Sequence, residues 1–246
     1  MNRDDPYRDL AERYDLMKVI SPVRENFFRA LFEQYKVKSV LDCACGTGQD
    51  LIMFHSFGCD IVGSDISESM LSQAKLKIRK NKLDISLKKT DFRMLPEYFK
   101  AEFDAVVCLS NSINELLEDS DTVRALLSMK AVLKDGGILV VDQGQTDFSM
   151  RNPPRFAPIM NNRDFSRVFV MEYIDKFMEV NILDFIHTEK SNDFKHFKVR
   201  VRIRLYEDWS RLFKKADFGE VTFYGGWNSD LYDKAKSKRL IMVAQK

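Results

Sequence analysis

The chemistry in this chain of 246 residues concentrates where an apolar run ends in a carboxylate and turns at once through small residues. The segment reads Val40, Leu41, Asp42, Cys43, Ala44, Cys45, Gly46, Thr47, Gly48 and enters a helical pattern at Gln49. Small residues are needed where a ligand must touch backbone, and a helix start behind them offers free N–H groups. A second apolar run ends in Asp65, seventeen residues beyond Gly48. From that position a carboxylate accepts hydrogen bonds from both hydroxyls of a ribose. Strand, small-residue turn, helix, strand and acid together describe the site of a nucleoside-containing ligand. Asp42 narrows the choice, because a pyrophosphate beside it would be repelled, whereas an α-amino group or a sulfonium fits. A nicotinamide-dependent oxidoreductase would need a G-x-G-x-x-G turn, and here the turn reads Ala44-Cys45-Gly46-Thr47-Gly48.

The elements that must hold these groups follow from hydrophobic periodicity. KSVLDC, DIVGSD, ISLKKTD, FDAVVCL and GGILVVD are five predicted strands. Helices are predicted over Gln49 to Phe57, Ser67 to Lys80 and Asp121 to Leu133, with Ser67 as an N-cap and Gly136 with Gly137 ending the third. Residues 5–35 carry Phe27, Phe28, Leu31 and Phe32 on an expected amphipathic helix. Three prolines between Arg151 and Pro158 mark a loop. Beyond it VFVMEYIDKF, MEVNILDFIHTEK and HFKVRVRIRLY are rich in β-branched and aromatic residues and predict three antiparallel strands. A helix near 207–216 and strands at GEVTFYG and RLIMVAQ close the chain.

Five motifs, VLDCACGTG, GSDISESML, TDFRMLP, FDAVVCLSNSINEL and LKDGGILVVD, together resemble the class I S-adenosylmethionine-dependent methyltransferases over about residues 38–142. The resemblance implies that Asp42 and the turn Ala44, Gly46, Gly48 bind the methionine end of S-adenosylmethionine. It implies Asp65 on the ribose, Ile66 and Met70 bordering the adenine, Asp91 and Phe92 on its edge and face, and the Leu109 backbone on the amino group. Tyr14 and Arg24 fall in N-terminal helices that in this fold often close over the cofactor. The implied fold is α/β, a Rossmann-like doubly wound seven-stranded sheet with an antiparallel last strand, plus an inserted antiparallel β lid. Its parts are an N-terminal helical cap (1–36), a cofactor-binding core (37–145), the substrate lid (146–206) and a C-terminal completion of the core sheet (207–246).

Within the class the chain is most similar to small-molecule N-methyltransferases of the glycine N-methyltransferase kind, and it departs from them where substrate is chosen. Asn111, Ser112, Ile113, Asn114, Glu115 replace a segment with a His after the Asn-Ser pair, and Asp142, Gln143, Gly144, Gln145 stand where that group places an Arg. Glu115 and Asp142 are acids suited to an ammonium head, so an amine-bearing acceptor is expected instead of glycine. Methyl transfer from a sulfonium needs mainly positioning, so a general base is optional, with Glu115 and Tyr14 as candidates. Other functions consistent with the motifs are methylation of RNA or protein and cofactor binding without catalysis.

Charge and composition bound the rest. Lys and Arg number 39 and Asp and Glu 37, so no global field favours nucleic acid or an anionic membrane. Lys198, Arg200, Arg202 and Arg204 alternate with apolar residues, which predicts a solvated cationic strand face. The charged start of the chain has no apolar run of a secretion signal, and Cys43, Cys45, Cys59 and Cys108 read as reduced thiols, so a cytoplasmic protein is expected, with a homo-oligomer left open. His55, His187 and His196 are scattered, and no metal site is expected. Asn152-Pro153-Pro154 is followed by Arg155 instead of an aromatic and is read as loop.

Overall fold

The computed structural model describes residues 5, 7–8, 10–17, 21–189 and 191–246. Seven strands form one sheet in the order β10-β11-β5-β4-β1-β2-β3. Strands β1 (Ser39–Asp42), β2 (Asp60–Asp65), β3 (Ser86–Lys89), β4 (Phe103–Cys108) and β5 (Leu133–Gln143) run parallel. β11 (Leu240–Gln245) lies antiparallel between β5 and β10 (Val221–Tyr224). The seven-stranded doubly wound sheet with its antiparallel last strand therefore stands as read from the sequence.

Alternation along the strands explains why helices cover both faces. Val40, Ala105, Val107, Ile138, Val140, Ile241 and Val243 pack with Phe27, Phe28, Leu31 and Phe32 of α1 (Pro22–Gln34), with Leu51 and Phe54 of α2 (Gln49–His55) and with Leu71 and Ile78 of α3 (Glu68–Lys80). Their neighbours Leu41, Val106, Cys108, Leu139, Val141 and Met242 pack on the other face with Leu126 and Met129 of α4 (Asp119–Val132) and Trp209, Leu212 and Phe213 of α5 (Tyr206–Lys215). The order reverses between β1 and β4, and in open α/β sheets ligands bind in the crevice beyond the strand ends at such a point. Among the described residues no helix is long and apolar enough to cross a membrane.

Between β5 and α5 the chain builds a second sheet of four antiparallel strands, β6 (Phe156–Asn161), β7 (Phe165–Ile174), β8 (Phe177–Thr188) and β9 (Ser191–Arg202). This is one strand more than the sequence predicts. The predicted loop over Arg151 to Pro158 holds as far as Arg155 and gives way to β6 at Phe156, because Pro158 lies on an edge strand beside a register shift, where a missing N–H is tolerated. Two further boundaries are corrected. α4 ends at Val132, and β5 begins at Leu133, so Gly136 and Gly137 fall within the strand. Gly136 takes a φ of +78° there, at the irregularity in the β4–β5 pairing. Residues Ala11–Met17 form a 3-10 segment instead of joining the predicted amphipathic helix, and the helical part of that stretch is α1. Arg204 lies past the end of β9, is 1% exposed and pairs with Asp119 at 3.1 Å, so it leaves the predicted cationic row.

Candidate functional site

At the carboxyl ends of β1, β2 and β4 two cavities adjoin. The smaller, about 160 Å³, is bounded by Ala44, Gly46, Asp65, Ile66, Met70, Asp91 and Phe92 among others. The larger, about 430 Å³, is bounded by the core on one side and the four-stranded sheet on the other. Tyr7, Tyr14, Ser110 and Glu115 line both.

Asp65 is held by the local fold that the sequence predicts. Ser67 caps α3, its hydroxyl accepting from the Met70 N–H at 3.1 Å. Asp65 Oδ1 accepts the Ser67 N–H at 2.9 Å and Oδ2 the Gly46 N–H at 2.8 Å, tying the small-residue turn to the end of β2. Burial raises the Asp65 carboxyl above its ordinary range, and those two N–H groups offset it only in part. Each oxygen keeps acceptor capacity for a diol. Asp91 receives the Arg93 guanidinium at 2.6 Å, and although burial pushes its carboxyl up, Arg93 outweighs this and holds it below the usual range. Ile66 is 57% exposed at the rim, whereas Met70 is buried.

Four expected cofactor residues line other surroundings. Asp42 is 1% exposed and accepts from the Ala44 N–H at 3.2 Å, so it shapes the turn from beneath. Gly48, at φ +78°, opens α2 where a Cβ would come within 3.0 Å of Ala74 Cβ on α3. The buried Leu109 gives its carbonyl to the Ser112 hydroxyl at 2.9 Å. Arg24 lines the larger cavity instead and grips Asp50 with two bonds of 2.5 and 3.0 Å.

The junction of the cavities is built by a turn after β4. Ser110 and Asn111 take φ values of +62° and +68°, a region L residues rarely enter and that tends to mark functional sites. Asp142 Oδ1 accepts the Ser110 N–H at 2.7 Å and Asn111 Oδ1 the Gly144 N–H at 2.8 Å, which fixes this turn to the end of β5. Asp142 also pairs with Arg239, so its carboxylate, expected to meet an ammonium head, is already engaged. Glu115 follows on the same turn and accepts from the Tyr7 hydroxyl. It is solvent-accessible through the cavities it lines, yet the protein around it pushes its carboxyl up, with the Tyr7 bond opposing. Burial and the neighbouring Glu115 push the Tyr7 phenol well up.

Sequence reasoning named Glu115 and Tyr14 but missed Tyr7, Trp227 and Arg239. Tyr7 had a weak signal, a second tyrosine in the charged N-terminal stretch. Arg239 had none, since it reaches the site only because β11 lies beside β5. The N-terminal segment is fastened over the smaller cavity. Asp5 accepts from the Ser67 hydroxyl and the Ser69 N–H at 2.8 and 2.9 Å, and Asp15 from Thr47 and Lys77, both at 2.5 Å.

The lining of the smaller cavity fits S-adenosylmethionine: a carboxylate for a ribose diol, apolar borders at Ile66, Met70 and Phe92 for a planar base, and a junction at Glu115 with the larger cavity. A methyltransferase-domain family profile matches residues 40–137. A glycine/sarcosine N-methyltransferase of Parasynechococcus marenigrum (strain WH8102) is 34% identical over 142 residues, 56% of this chain and 50% of that protein. The chain spans about half the length of the curated relatives it matches. In fold it is similar to an S-adenosylmethionine-dependent methyltransferase from Clostridium acetobutylicum ATCC 824, with a TM-score of 0.84 at 19% identity, covering 97% of this chain and 98% of that one. The S-adenosylmethionine-bound amino pentose methyltransferase CalS10 from Micromonospora echinaspora gives a TM-score of 0.78 at 18% identity, covering 96% of each chain. Residues 40–137 thus match the methyltransferase-domain family model, and the chain shares the fold of solved S-adenosylmethionine-dependent methyltransferases.

Proposed function

We propose that the protein transfers a methyl group from S-adenosylmethionine to a nitrogen of a small-molecule acceptor. The observation that carries this is the meeting of the two cavities at Tyr7, Tyr14, Ser110 and Glu115, one with the groups of a nucleoside site and the other a larger cleft beside it. Asp65 holds the ribose hydroxyls, and Met70 and Phe92 border the adenine. The bound cofactor supplies a methyl carbon on a positively charged sulfur, open to in-line displacement. Tyr14 and the strained Ser110 turn confine the acceptor so that its nitrogen faces that carbon, an arrangement that supplies roughly 7–11 kcal/mol in well-oriented reactions. Glu115, with its carboxyl raised, accepts the proton that an ammonium must lose before its lone pair can attack. The N–C bond forms as the C–S bond breaks, its electron pair passing to sulfur.

The 34% identity over 142 residues to a glycine/sarcosine N-methyltransferase supports this reading. Thermal denaturation with S-adenosylhomocysteine, S-adenosylmethionine and NADH in parallel tests it. A ligand at about 100 times its Kd stabilises by about 2.7 kcal/mol, which raises Tm by about 5–10 °C for a chain of this size. S-adenosylhomocysteine is expected to raise Tm in the wild type and not in Asp65→Ala. A rise with NADH alone refutes the proposal.

A further inference from the structure

We propose that the acceptor is an amine with an extended apolar body, larger than glycine or sarcosine. This rests on the reading of the larger cavity as the acceptor site. One wall of that cavity is a face of the four-stranded sheet. Phe169 stands opposite Ile182, Val180 opposite Val199 and Met178 opposite Val201, and directly paired residues of antiparallel strands share a face. All six line the cavity, so the surface presented to the acceptor is continuous hydrocarbon with no polar side chain among these rows. The next row of this face holds the buried pair Arg167–Asp184, whose charges satisfy each other, and Glu179 pairs with Lys198 at 2.5 Å on the other face.

The opposite, polar side of the cavity is largely self-neutralised. Arg24 is paired with Asp50 and Arg239 with Asp142, and both guanidiniums lie against Trp227, at 5.1 and 5.3 Å from its ring. Their charges are matched before any ligand enters, so neither pair calls for a zwitterion's carboxylate. Glu115 differs, since its partner is the neutral Tyr7 phenol, and when ionised it draws a cationic head to the junction. An ammonium there leaves the rest of the acceptor along the hydrocarbon wall. The five non-hydrogen atoms of glycine would leave most of the 430 Å³ without contact, and the exclusion of water from an apolar wall would be forfeited.

The experiment titrates the S-adenosylhomocysteine-loaded protein by calorimetry with ethylamine, butylamine, hexylamine, glycine and sarcosine. Affinity is expected to rise about fourfold per methylene up to hexylamine, the gain for burying one CH₂, with glycine and sarcosine at least tenfold weaker than butylamine. Val180→Thr, nearly isosteric, puts a hydroxyl into the wall and is expected to lower hexylamine affinity about fivefold, flattening the dependence on chain length. Its melting temperature shows that it is folded. Affinity independent of chain length, an unaffected Val180→Thr, or glycine bound as tightly as hexylamine overturns the proposal. Failure of S-adenosylhomocysteine itself to bind is distinguishable, because it overturns the reading of the smaller cavity and takes the acceptor proposal with it.

Discussion

Gly48 is the residue at which two readings of the small-residue turn part. The family resemblance assigns it to the cofactor, whereas the structure packs it against α3, with a left-handed φ of +78°. Replacing it by Ala brings two costs. An L residue in that region costs about 1–2 kcal/mol. The added Cβ would stand 3.0 Å from Ala74 Cβ and 3.4 Å from both Ala74 Cα and Leu51 Cδ1, so a helix backbone has to give way, and overpacking of this kind costs about 1–3 kcal/mol. The sum, about 2–4 kcal/mol after the entropy that Ala removes from the unfolded chain, lowers Tm by roughly 5–12 °C. Gly58 supplies the control, since its φ is +83° and a Cβ there meets nothing within 4 Å, so Gly58→Ala carries the backbone cost alone. Scanning calorimetry of both variants separates the packing cost, and titration with S-adenosylhomocysteine at 20 °C, about room temperature, reads the ligand. The expected result is a larger loss of Tm at Gly48 with cofactor affinity within about threefold of wild type. Equal losses at the two glycines, or an affinity drop beyond tenfold in a protein that melts normally, would refute the packing account.

Other consequences are open to measurement. Tyr7→Phe removes the hydrogen bond that opposes burial at Glu115, so the carboxyl rises further; at about 1.5 kcal/mol for a bond to a charged group, the ascending limb of the methyl-transfer pH profile moves up by about one pH unit. Carbon NMR of the Glu115 carboxyl should move with it, and an unmoved or lowered value contradicts the geometry. Asp104 accepts from the Lys38 and Ser39 N–H groups and from Lys134 at 2.8–2.9 Å, and against the effect of burial these hold its carboxyl down at about 2. Its folded value lies below the unfolded one, so the stability is present above about pH 4 and lost as pH falls towards 2. Asp104→Asn should lower Tm by about 3–6 °C at pH 7, with the gap to wild type closing in acid. Arg167 and Asp184, 0% and 1% exposed, form a two-pronged pair across β7 and β8, and Arg167→Met strands the carboxylate at a cost of about 3–5 kcal/mol. Adding Asp184→Leu should recover most of the lost Tm in the same calorimetric assay, and a double variant as unstable as the single one would count against a stranded charge.

The large sheet was legible because β-branched runs alternating with helical patterns leave a parallel sheet as the economical solution. Asp65 was legible for a local reason, the fixed distance from a turn to the end of the next strand. The start of β5 was not, because Gly136 and Gly137 resemble a helix end, and only pairing with β4 shows that the chain bends through them within a strand. β6 was hidden by Pro158, whose cost depends on which side of the strand lacks a partner. At the site, Glu115 came from its segment alone, but its partner Tyr7 is 108 residues away in sequence. Asp142 reads as an acid for an ammonium head, and its pairing with Arg239 from the neighbouring strand was not legible in its own segment.

Tyr7, Tyr14, Ser110 and Glu115 belong to both cavities, and this shared wall has a thermodynamic consequence. Two ligands that press on the same four side chains are not independent. Whatever factor cofactor binding applies to acceptor affinity, the acceptor must apply to cofactor affinity, since the free energy around the cycle closes. An acceptor that repositions Tyr7 or Glu115 would therefore change the affinity for S-adenosylhomocysteine by the same factor by which S-adenosylhomocysteine changes the affinity for that acceptor.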